Sequence, residues 1–202
     1  MFPFIETLKI ENGEVQHLDL HLQRIQHTCM EYYGAKKNLD DMRGYFNLVV
    51  KNKQALTKLS IFYDLHHHHF VSNPYYIKKI ETLYWVENNA IDYHLKYADR
   101  SLFDHYSQRV GPENEVLIVQ HQRLTDATYA NLAFWNGVEW HTPLYPLLQG
   151  TKRKYLLETN QLIEKDIFVT DLKHYQHVSL INAMLELGDS VIDTQQIVFL
   201  SD

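Results

Sequence analysis

The sequence predicts a mixed α/β protein of the α+β type, in which a small N-terminal lobe precedes a strand-rich second half. Two patterns lead to this class. Short runs of β-branched and apolar residues, bounded by turn signals, are typical of strands, and they alternate with segments whose apolar residues recur every three or four positions, as in helices. The 202 residues, 45% of them hydrophobic, can also bury a sizeable core.

The N-terminal lobe is predicted to span residues 1–90. Glu11-Asn12-Gly13 is a hairpin signal between two alternating segments. Leu22 and Ile25 begin a helical spacing of apolar residues, and Gly34 can end that helix. The predicted elements are strands over 4–10 and 14–18, helices over 19–34 and 40–50, and strands over 59–64 and 77–86, with a turn at Asn73-Pro74 before the last strand.

The C-terminal lobe is predicted to span residues 91–202. Gly111-Pro112 can end a helix, and Asn136-Gly137 is a second hairpin signal. No repeat or Gly/Ser-rich linker separates the lobes, so we expect a short connection near residues 88–96. The predicted elements are a helix over 101–109, strands over 115–120, 127–135 and 138–141, and helices over 151–159 and 178–187.

Composition and charge narrow the functional classes. The net charge of −6 argues against a nucleic-acid-binding surface. No apolar run is long enough to span a bilayer, and the N-terminus lacks the pattern of a signal peptide. The single cysteine, Cys29, cannot form an internal disulfide. We therefore expect a cytoplasmic protein without nucleic-acid or membrane partners.

Several common site motifs are missing from the chain. Its 7 glycines are scattered, so no phosphate-binding loop of the Walker or dinucleotide type occurs, and there is no G-x-S-x-G, H-E-x-x-H or paired-cysteine motif. In His66-His67-His68-His69, two imidazoles could share one face of a strand, but two ligands do not make a metal site. We interpret this run as a solvated loop or strand end and predict no metal.

Polar residues recur in a particular order through the otherwise apolar chain. Each has an ordinary structural explanation when taken alone, such as a helix cap or a solvated cation. Their order and spacing carry the functional information. They are Glu6-Thr7-Leu8, His21-Leu22-Gln23-Arg24-Ile25, Lys96 with Arg100, Leu124-Thr125-Asp126 with Asn131, Thr142-Pro143, Leu147-Leu148-Gln149-Gly150-Thr151-Lys152-Arg153, and Ile181-Asn182-Ala183.

In this order the motifs resemble those of the fold-type IV pyridoxal-phosphate enzymes, also called class IV aminotransferases. That family includes branched-chain and D-amino-acid aminotransferases and aminodeoxychorismate lyase. The resemblance covers nearly the whole chain. It implies a two-lobed fold like that of D-amino-acid aminotransferase, here with a short N-terminal lobe, pyridoxal 5'-phosphate (PLP) as cofactor in the cleft between the lobes, most of its site on the C-terminal lobe, and a homodimer.

The resemblance also implies roles for residues around the cofactor ring. Lys96 matches the lysine that holds PLP as a Schiff base and moves the proton, and we expect it on a half-buried strand. Asp126 occupies the position of the carboxylate that keeps the pyridine nitrogen protonated, where the family usually has glutamate. Asn131 belongs to the same motif and is predicted to bind the cofactor.

The cofactor phosphate is expected at a helix N-terminus. Arg24 matches the family's phosphate-binding arginine. The segment Gly150-Thr151-Lys152 would supply backbone amides at the start of a helix. Asn182 and Ala183 would add further amides, although many family members carry a hydroxyl residue where this chain has Ala183.

Three interpretations of the activity remain open. An arginine four residues after the lysine, here Arg100 after Lys96, is typical of the lyases, which release pyruvate and 4-aminobenzoate for folate synthesis. Under this interpretation Thr7 assists proton transfer, and Arg100 and Tyr97 are candidates for binding the substrate. The first alternative is an amino-acid aminotransferase. The second is a degenerate, non-catalytic member, favoured by Asp126, by Ala183 and by the absence of the strands that usually precede the Glu6-Thr7 strand.

Overall fold

The chain folds into two units, each built around its own β-sheet. The computed structural model describes residues 2–49 and 56–201, with only the backbone described for residues 47–49. Unit 1 contains the described residues up to Tyr76 together with Leu95–Asp99, and unit 2 contains Ile77–His94 and the described residues from Arg100 onward. Helices and strands are mixed in the chain, which confirms the predicted α/β class.

The division between the units differs from the boundary expected between residues 90 and 91. The strand over Thr82–Glu87 pairs within the sheet of unit 2, while Leu95–Asp99 belongs to unit 1, where Tyr97 bridges to Phe4. Long-range strand pairing decides these memberships, and local composition does not reveal such pairing.

Unit 1 has a four-stranded antiparallel sheet in the order β2-β1-β3-β4. The hairpin turn uses Asn12 and Gly13, both with positive φ, as expected for a two-residue turn. The predicted second helix is present to Val49, and residue 50 lies outside the described residues. The elements are β1 (Phe4–Glu11), β2 (Glu14–Val15), α1 (Leu18–Tyr33), α2 (Asp40–Val49), β3 (Thr57–Tyr63) and β4 (His68–Pro74).

Helix α1 covers one face of this sheet. Its buried Leu22 and Ile25 pack in one core with Phe4 and Leu8 of β1. The helix ends at Gly34, which adopts the left-handed conformation at φ 68° and donates its N–H to the Met30 carbonyl. Alternation along β1 therefore places residues 4, 6, 8 and 10 towards the helix and residues 5, 7 and 9 on the opposite face.

Unit 2 has a nine-stranded mixed sheet whose main path runs β10-β9-β8-β7-β6-β5-β13, with β11 pairing to β8 and β12. Two 3₁₀ helices, Val169–His174 and Thr194–Gln196, join its later strands. The elements are β5 (Thr82–Glu87), α3 (Ser101–Val110), β6 (Asn114–Gln120), β7 (Arg123–Ala127), β8 (Asn131–Trp135), β9 (Trp140–Pro143), α4 (Thr151–Glu158), β10 (Ile163–Lys165), β11 (His177–Ile181), β12 (Val191–Asp193) and β13 (Ile197–Phe199).

Some sequence-based element predictions were wrong. The helix predicted over 178–187 is wrong: its first part is strand β11, whose apolar side chains are buried where the strand pairs with β8 and β12, and residues 182–187 form turns and an isolated bridge. The single strand predicted over 127–135 is split by a tight turn, in which Ala127 N–H donates to the Ala130 carbonyl at 2.9 Å. Asn73-Pro74 ends strand β4, and the following strand begins at Thr82. Short apolar runs suit either helix or strand, so pairing in the tertiary structure decides them.

Candidate active site

Unit 1 buries a carboxylate in its core. Glu6 occupies an inward position of β1, between Phe4 and Leu8, and has no exposed surface. Its Oε1 lies 2.8 Å from Nδ1 of His21, and its Oε2 accepts a hydrogen bond of 3.0 Å from Nε of Arg24. Nη2 of Arg24 also donates to Oε1. One carboxylate of the sheet therefore binds two cation-forming side chains of α1.

These contacts set the ionisation of the cluster Glu6–His21–Arg24. Burial alone would raise the pKa of Glu6, but the Arg24 guanidinium and the His21 hydrogen bond outweigh it and hold that pKa well below its usual range. Burial lowers the pKa of His21, and the charges of Arg24 and Lys96 lower it further, whereas the hydrogen bond to the Glu6 carboxylate and the charge of that carboxylate oppose this shift. The cluster therefore holds an ionised Glu6 beside a neutral imidazole.

The predicted catalytic pair Lys96 and Thr7 lies in the same unit. The Lys96 carbonyl accepts the Ile5 N–H at 3.0 Å, which ties this segment to the start of β1. Its expected position on a regular strand was wrong, since only an isolated bridge joins Tyr97 to Phe4. Thr7 follows Glu6 and points to the opposite face of the sheet. Unit 1 thus places Lys96 and the Glu6–His21–Arg24 cluster near one another.

Tyr97, a candidate substrate residue, is part of the core packing of unit 1. Its ring lies 5.6 Å from that of Phe4, between ring centroids, and the residue packs against the same hydrophobic cluster as α1. This position gives Tyr97 a structural role whatever else it contacts.

In unit 2, Asp126 is a buried carboxylate near the end of β7. Its Oδ1 accepts a 2.7 Å hydrogen bond from Nδ2 of Asn131, and its Oδ2 accepts a 2.9 Å bond from the backbone N–H of Leu148. Burial raises the pKa of Asp126 to about 6, although these hydrogen bonds and the nearby Arg153 charge oppose the rise. A positive group placed against this carboxylate would favour its ionised form.

Asn131 links Asp126 to the segment before α4. The same Nδ2 that binds Asp126 also donates to the Leu148 carbonyl at 2.9 Å. Its Oδ1 lies so close to Gly150 that a Cβ at this position would overlap it. The predicted cofactor residues Asp126, Asn131 and Gly150 are therefore brought together, with Asn131 in the middle.

Helix α4 begins at Thr151, directly after Gly150. Gly150, at the N-cap position, has no side chain that could cap the helix, and Thr151 and Lys152 are buried. The ammonium group of Lys152 donates a hydrogen bond to the Glu186 carboxylate, with 2.6 Å between Nζ and Oε2. A helix N-terminus favours negative charge through its first backbone amides and its dipole, so the part of Lys152 suited to an anion here is its backbone N–H and not its ammonium group.

Arg153 explains why two of the sequence motifs occur together. Its guanidinium is fully buried and donates to Oγ1 of Thr142 at 3.3 Å, to the Pro143 carbonyl at 2.8 Å and to Glu164 at 2.7 Å. The Thr142-Pro143 motif and the Gly150-to-Arg153 motif are thus held together by one side chain.

Asn182 and Ala183 follow strand β11. Nδ2 of Asn182 donates to the Tyr129 carbonyl at 3.2 Å, and its Oδ1 accepts the N–H groups of Met184 and Leu185 at 2.8 and 3.1 Å. The Asn182 side chain therefore shapes the turn that contains Ala183 and ties it to the turn between β7 and β8.

Arg100, the other candidate substrate residue, contacts the turn that joins β7 to β8. Its Nη2 donates to the Thr128 carbonyl at 2.8 Å, its Nη1 lies 3.5 Å from the Tyr93 hydroxyl, and its guanidinium carbon lies 5.2 Å from the centre of the Phe103 ring. This turn connects Asp126 to Asn131, so Arg100 stabilises the backbone that positions the Asp126 carboxylate.

The sequence-based reasoning missed Glu6 and His21 as interacting residues and missed the Leu148 amide. A signal for Glu6 was present, because a carboxylate stood at an inward position of an alternating strand, where an unpaired charge is very unfavourable. The Leu148 amide left no sequence signal, since any residue except proline supplies one.

Two other features bear on the sequence predictions. His68 and His69 begin strand β4, whereas His66 and His67 lie in the loop before it. In the described ranges, no group of three or more His, Cys, Asp or Glu side chains is arranged to hold a metal ion. No helix formed by the described residues combines the length and apolarity needed to span a bilayer.

Comparison with known proteins relates this geometry to a family. The family model described as amino-transferase class IV matches residues 4–189. An uncharacterised protein of Haemophilus influenzae is 34% identical over 185 residues, which cover 91% of this chain and 98% of that protein. A crystal structure from Haemophilus somnus, provisionally named 4-amino-4-deoxychorismate lyase, is 32% identical with a TM-score of 0.86, covering 93% of this chain and 98% of that one.

A hypothetical aminotransferase of Mycobacterium tuberculosis, solved in a PLP-bound form, shares the fold with a TM-score of 0.79 at 14% identity, covering 98% of this chain and 84% of its own. These similarities confirm the expected fold-type IV class. The match over residues 4–189 shows that the chain belongs to the class IV aminotransferase family of PLP-dependent enzymes.

Proposed function

We propose that the protein is a PLP-dependent aminodeoxychorismate lyase, which converts 4-amino-4-deoxychorismate to 4-aminobenzoate and pyruvate for folate synthesis. The observation that carries this proposal is the 32% identity over nearly the full length to the Haemophilus somnus protein provisionally named for that activity. The Lys96-x-x-x-Arg100 spacing supports it, because the resemblance links that spacing to the lyases.

The residues of unit 2 fit the cofactor. Asp126 is a buried carboxylate whose pKa of about 6 leaves it ionised at neutral pH and ready for a protonated pyridine nitrogen. The first amides of α4 follow Gly150, which has no side chain to cap them, and a helix N-terminus of this kind fits a phosphate. In this proposal Arg24 adds charge-assisted hydrogen bonds to the phosphate, and the amide of Ala183 adds a further donor. The N–H of Asn182, also predicted for the phosphate, donates instead to the Leu185 carbonyl at 3.3 Å.

When bound, PLP supplies an electron sink that stabilises negative charge developing on the substrate. The amine of Lys96 would hold the cofactor covalently until the amine of the substrate displaces it, and the freed Lys96 amine would then act as the base that removes the ring proton of the substrate. As that proton leaves, the carbon–oxygen bond between the ring and the enolpyruvyl group breaks and the ring becomes aromatic, and the departing enolpyruvate takes up a proton at its methylene carbon to become pyruvate. Thr7 would assist the proton transfer through its hydroxyl group.

An amino-acid aminotransferase remains the second candidate, and one observation favours it. Arg100 donates to the Thr128 carbonyl and packs on Phe103, so a structural role can account for the arginine that supports the lyase interpretation. A transaminase would use Lys96 to move a proton between two carbons of an amino acid. It would also need a group that binds the substrate α-carboxylate.

The test begins with the cofactor. We expect that borohydride reduction of the PLP-loaded protein, followed by peptide mass mapping, places a pyridoxyl adduct on Lys96. The Lys96→Ala variant should lose the adduct and all turnover, whereas Lys79→Ala, which removes an exposed lysine, should keep both. An adduct on another lysine, or full activity of Lys96→Ala, would refute the assignment.

The reaction is tested with the same preparation. Release of 4-aminobenzoate and pyruvate from 4-amino-4-deoxychorismate, without amino-group transfer to 2-oxo acids, is the expected result. Transfer from branched-chain or D-amino acids with no 4-aminobenzoate release would select the aminotransferase. If the protein binds no PLP, the non-catalytic alternative is correct.

We also propose that the protein works as a homodimer, which the family resemblance implies, and that it is located in the cytoplasm. Light scattering after size exclusion should give twice the 24.0 kDa chain mass. A fully active monomer would refute the dimer, and activity in a non-cytoplasmic cell fraction would refute the location.

A further inference from the structure

Asn131 is the point at which two separate parts of unit 2 meet. It lies at the start of β8 and pairs with Asp126 of β7 across the turn between these strands. Its side chain reaches the segment that leads into α4, which follows much later in the chain. Strand β7 carries the carboxylate proposed for the ring nitrogen, and α4 carries the amides proposed for the phosphate.

The hydrogen bonds around Asn131 form a closed ring of three residues. Nδ2 of Asn131 donates to Oδ1 of Asp126 at 2.7 Å and to the Leu148 carbonyl at 2.9 Å. The Leu148 N–H donates to Oδ2 of Asp126 at 2.9 Å. Each member of the ring therefore binds the other two, and the position of Asp126 depends on both neighbours.

The other end of the Asn131 amide packs against the start of α4. Oδ1 lies against Gly150, and a Cβ on that residue would overlap it. Because Gly150 immediately precedes the helix, a displaced Asn131 side chain would also shift the positions of the first backbone amides of α4. One buried side chain thus contacts Asp126 on one side and Gly150, the residue before α4, on the other.

From this arrangement we propose that Asn131 is a positioning residue, which holds the Asp126 carboxylate and the start of α4 at a fixed separation. At that separation Asp126 binds the ring nitrogen and the start of α4 binds the phosphate of the same cofactor molecule. The inference rests on the proposed use of PLP. It replaces direct cofactor binding by Asn131, because both hydrogens of its amide nitrogen bind protein oxygens.

The experiment compares Asn131→Leu with the wild-type protein. Leucine has nearly the same volume but cannot donate hydrogen bonds. Dissociation constants are measured for PLP and for pyridoxal, which lacks the phosphate. The ¹⁵N chemical shift of PLP labelled at the ring nitrogen reports whether that nitrogen is protonated in the loaded protein.

We expect Asn131→Leu to weaken PLP binding by about tenfold or more, because hydrogen bonds to a charged group contribute on the order of 1.5–3 kcal/mol. Pyridoxal should be weakened less, so the preference for the phosphorylated cofactor falls. The ring nitrogen should lose its proton at a lower pH than in the wild-type protein, because the displaced Asp126 carboxylate no longer accepts a well-aligned hydrogen bond from it.

Asn136→Ala is the matched control. Asn136 lies just after β8, where its Oδ1 accepts the N–H groups of Val138 and Glu139 in an exposed turn. This variant removes local hydrogen bonds of the same unit without touching Asp126 or Gly150. This variant should leave the preference for PLP over pyridoxal and the ¹⁵N chemical shift of the ring nitrogen unchanged.

Gly150→Ala provides a second test if Asn131→Leu does not fold. Its methyl group would push the Asn131 side chain away, and it should show the same combined loss of phosphate preference and ring-nitrogen protonation. Equal weakening of PLP and pyridoxal with an unchanged ¹⁵N shift would overturn the inference while leaving PLP use intact. A wild-type protein that binds no PLP would overturn both proposals.

Discussion

Oε1 of Glu6 lies 2.8 Å from Nδ1 of His21, and both side chains are buried inside unit 1. The same carboxylate binds Arg24, so β1 and α1 are joined by an ion pair within an otherwise apolar core. Desolvation of such a pair costs much of what the attraction contributes, and buried pairs are weak evidence for added stability. The arrangement does restrict the orientation of Arg24, which is the residue proposed for the phosphate.

Replacing Glu6 with glutamine should destabilise the protein strongly. The variant keeps the shape of the side chain but removes the charge that faces the partly buried Arg24 guanidinium, and breaking a buried pair costs about 3–5 kcal/mol, with the lower end expected for a partly exposed arginine. Urea denaturation measures the change. Glu11→Gln, which removes a half-exposed carboxylate paired with Lys9, should change stability by less than about 1 kcal/mol. Equal effects of the two variants would contradict this account.

Lys37→Met should loosen the loop between β3 and β4. The Lys37 ammonium is buried and donates to the carbonyls of Asp64, Leu65 and His67 at 2.9, 3.2 and 3.1 Å. Methionine fills similar space but leaves these carbonyls without that donor, at a cost of roughly 1–3 kcal/mol. Hydrogen exchange should become faster around residues 64–67, whereas the exposed Lys36→Met should change neither exchange nor stability. Unchanged exchange in Lys37→Met would show that the Lys37 hydrogen bonds do not hold this loop.

Asp126 should make the cofactor-free protein less stable as pH rises. Burial raises its pKa from 3.8 to about 6, so the folded chain holds this proton more tightly than the unfolded chain does. The contribution of Asp126 to the free energy of unfolding therefore falls between about pH 4 and pH 6, by roughly 3 kcal/mol at most.

The measurement is the difference in unfolding free energy between the wild-type protein and Asp126→Asn at several pH values. Glu6 acts in the opposite direction, because its lowered pKa stabilises the fold as pH rises through the range where the unfolded carboxyl ionises, but this contribution cancels in the difference. A difference that stays constant from pH 4 to pH 7 would refute the prediction.

Arg100→Leu should weaken PLP binding even when no substrate is present. Arg100 holds the Thr128 carbonyl in the turn between Asp126 and Asn131, so its loss should disturb the carboxylate site as well as reduce stability by about 1–3 kcal/mol. Spectroscopic titration with PLP measures the first effect. A variant with normal PLP affinity and a raised KM alone would instead show that Arg100 is a substrate residue.

The sequence was informative where local chemistry or motif order carries the information. Hairpin residues such as Asn12-Gly13 predicted the first turn, and apolar spacing predicted α1 and its end at Gly34. The motif series led to the class IV aminotransferase family, which the match over residues 4–189 confirms. The apolar segment at residues 178–187 failed as a predictor, because its pattern suits a helix or a buried strand equally.

The sequence by itself thus determined the mixed α/β class and the family, and it predicted a set of polar residues for the candidate site. Only the tertiary structure decided that Glu6 binds His21 and Arg24, that Lys152 turns its ammonium to Glu186, and that Asn131 joins Asp126 to the segment before α4. Helix signals and turn signals act over a few neighbouring residues. Hydrogen-bond partners of buried groups come from distant segments, so they are settled only when the sheets and helices pack.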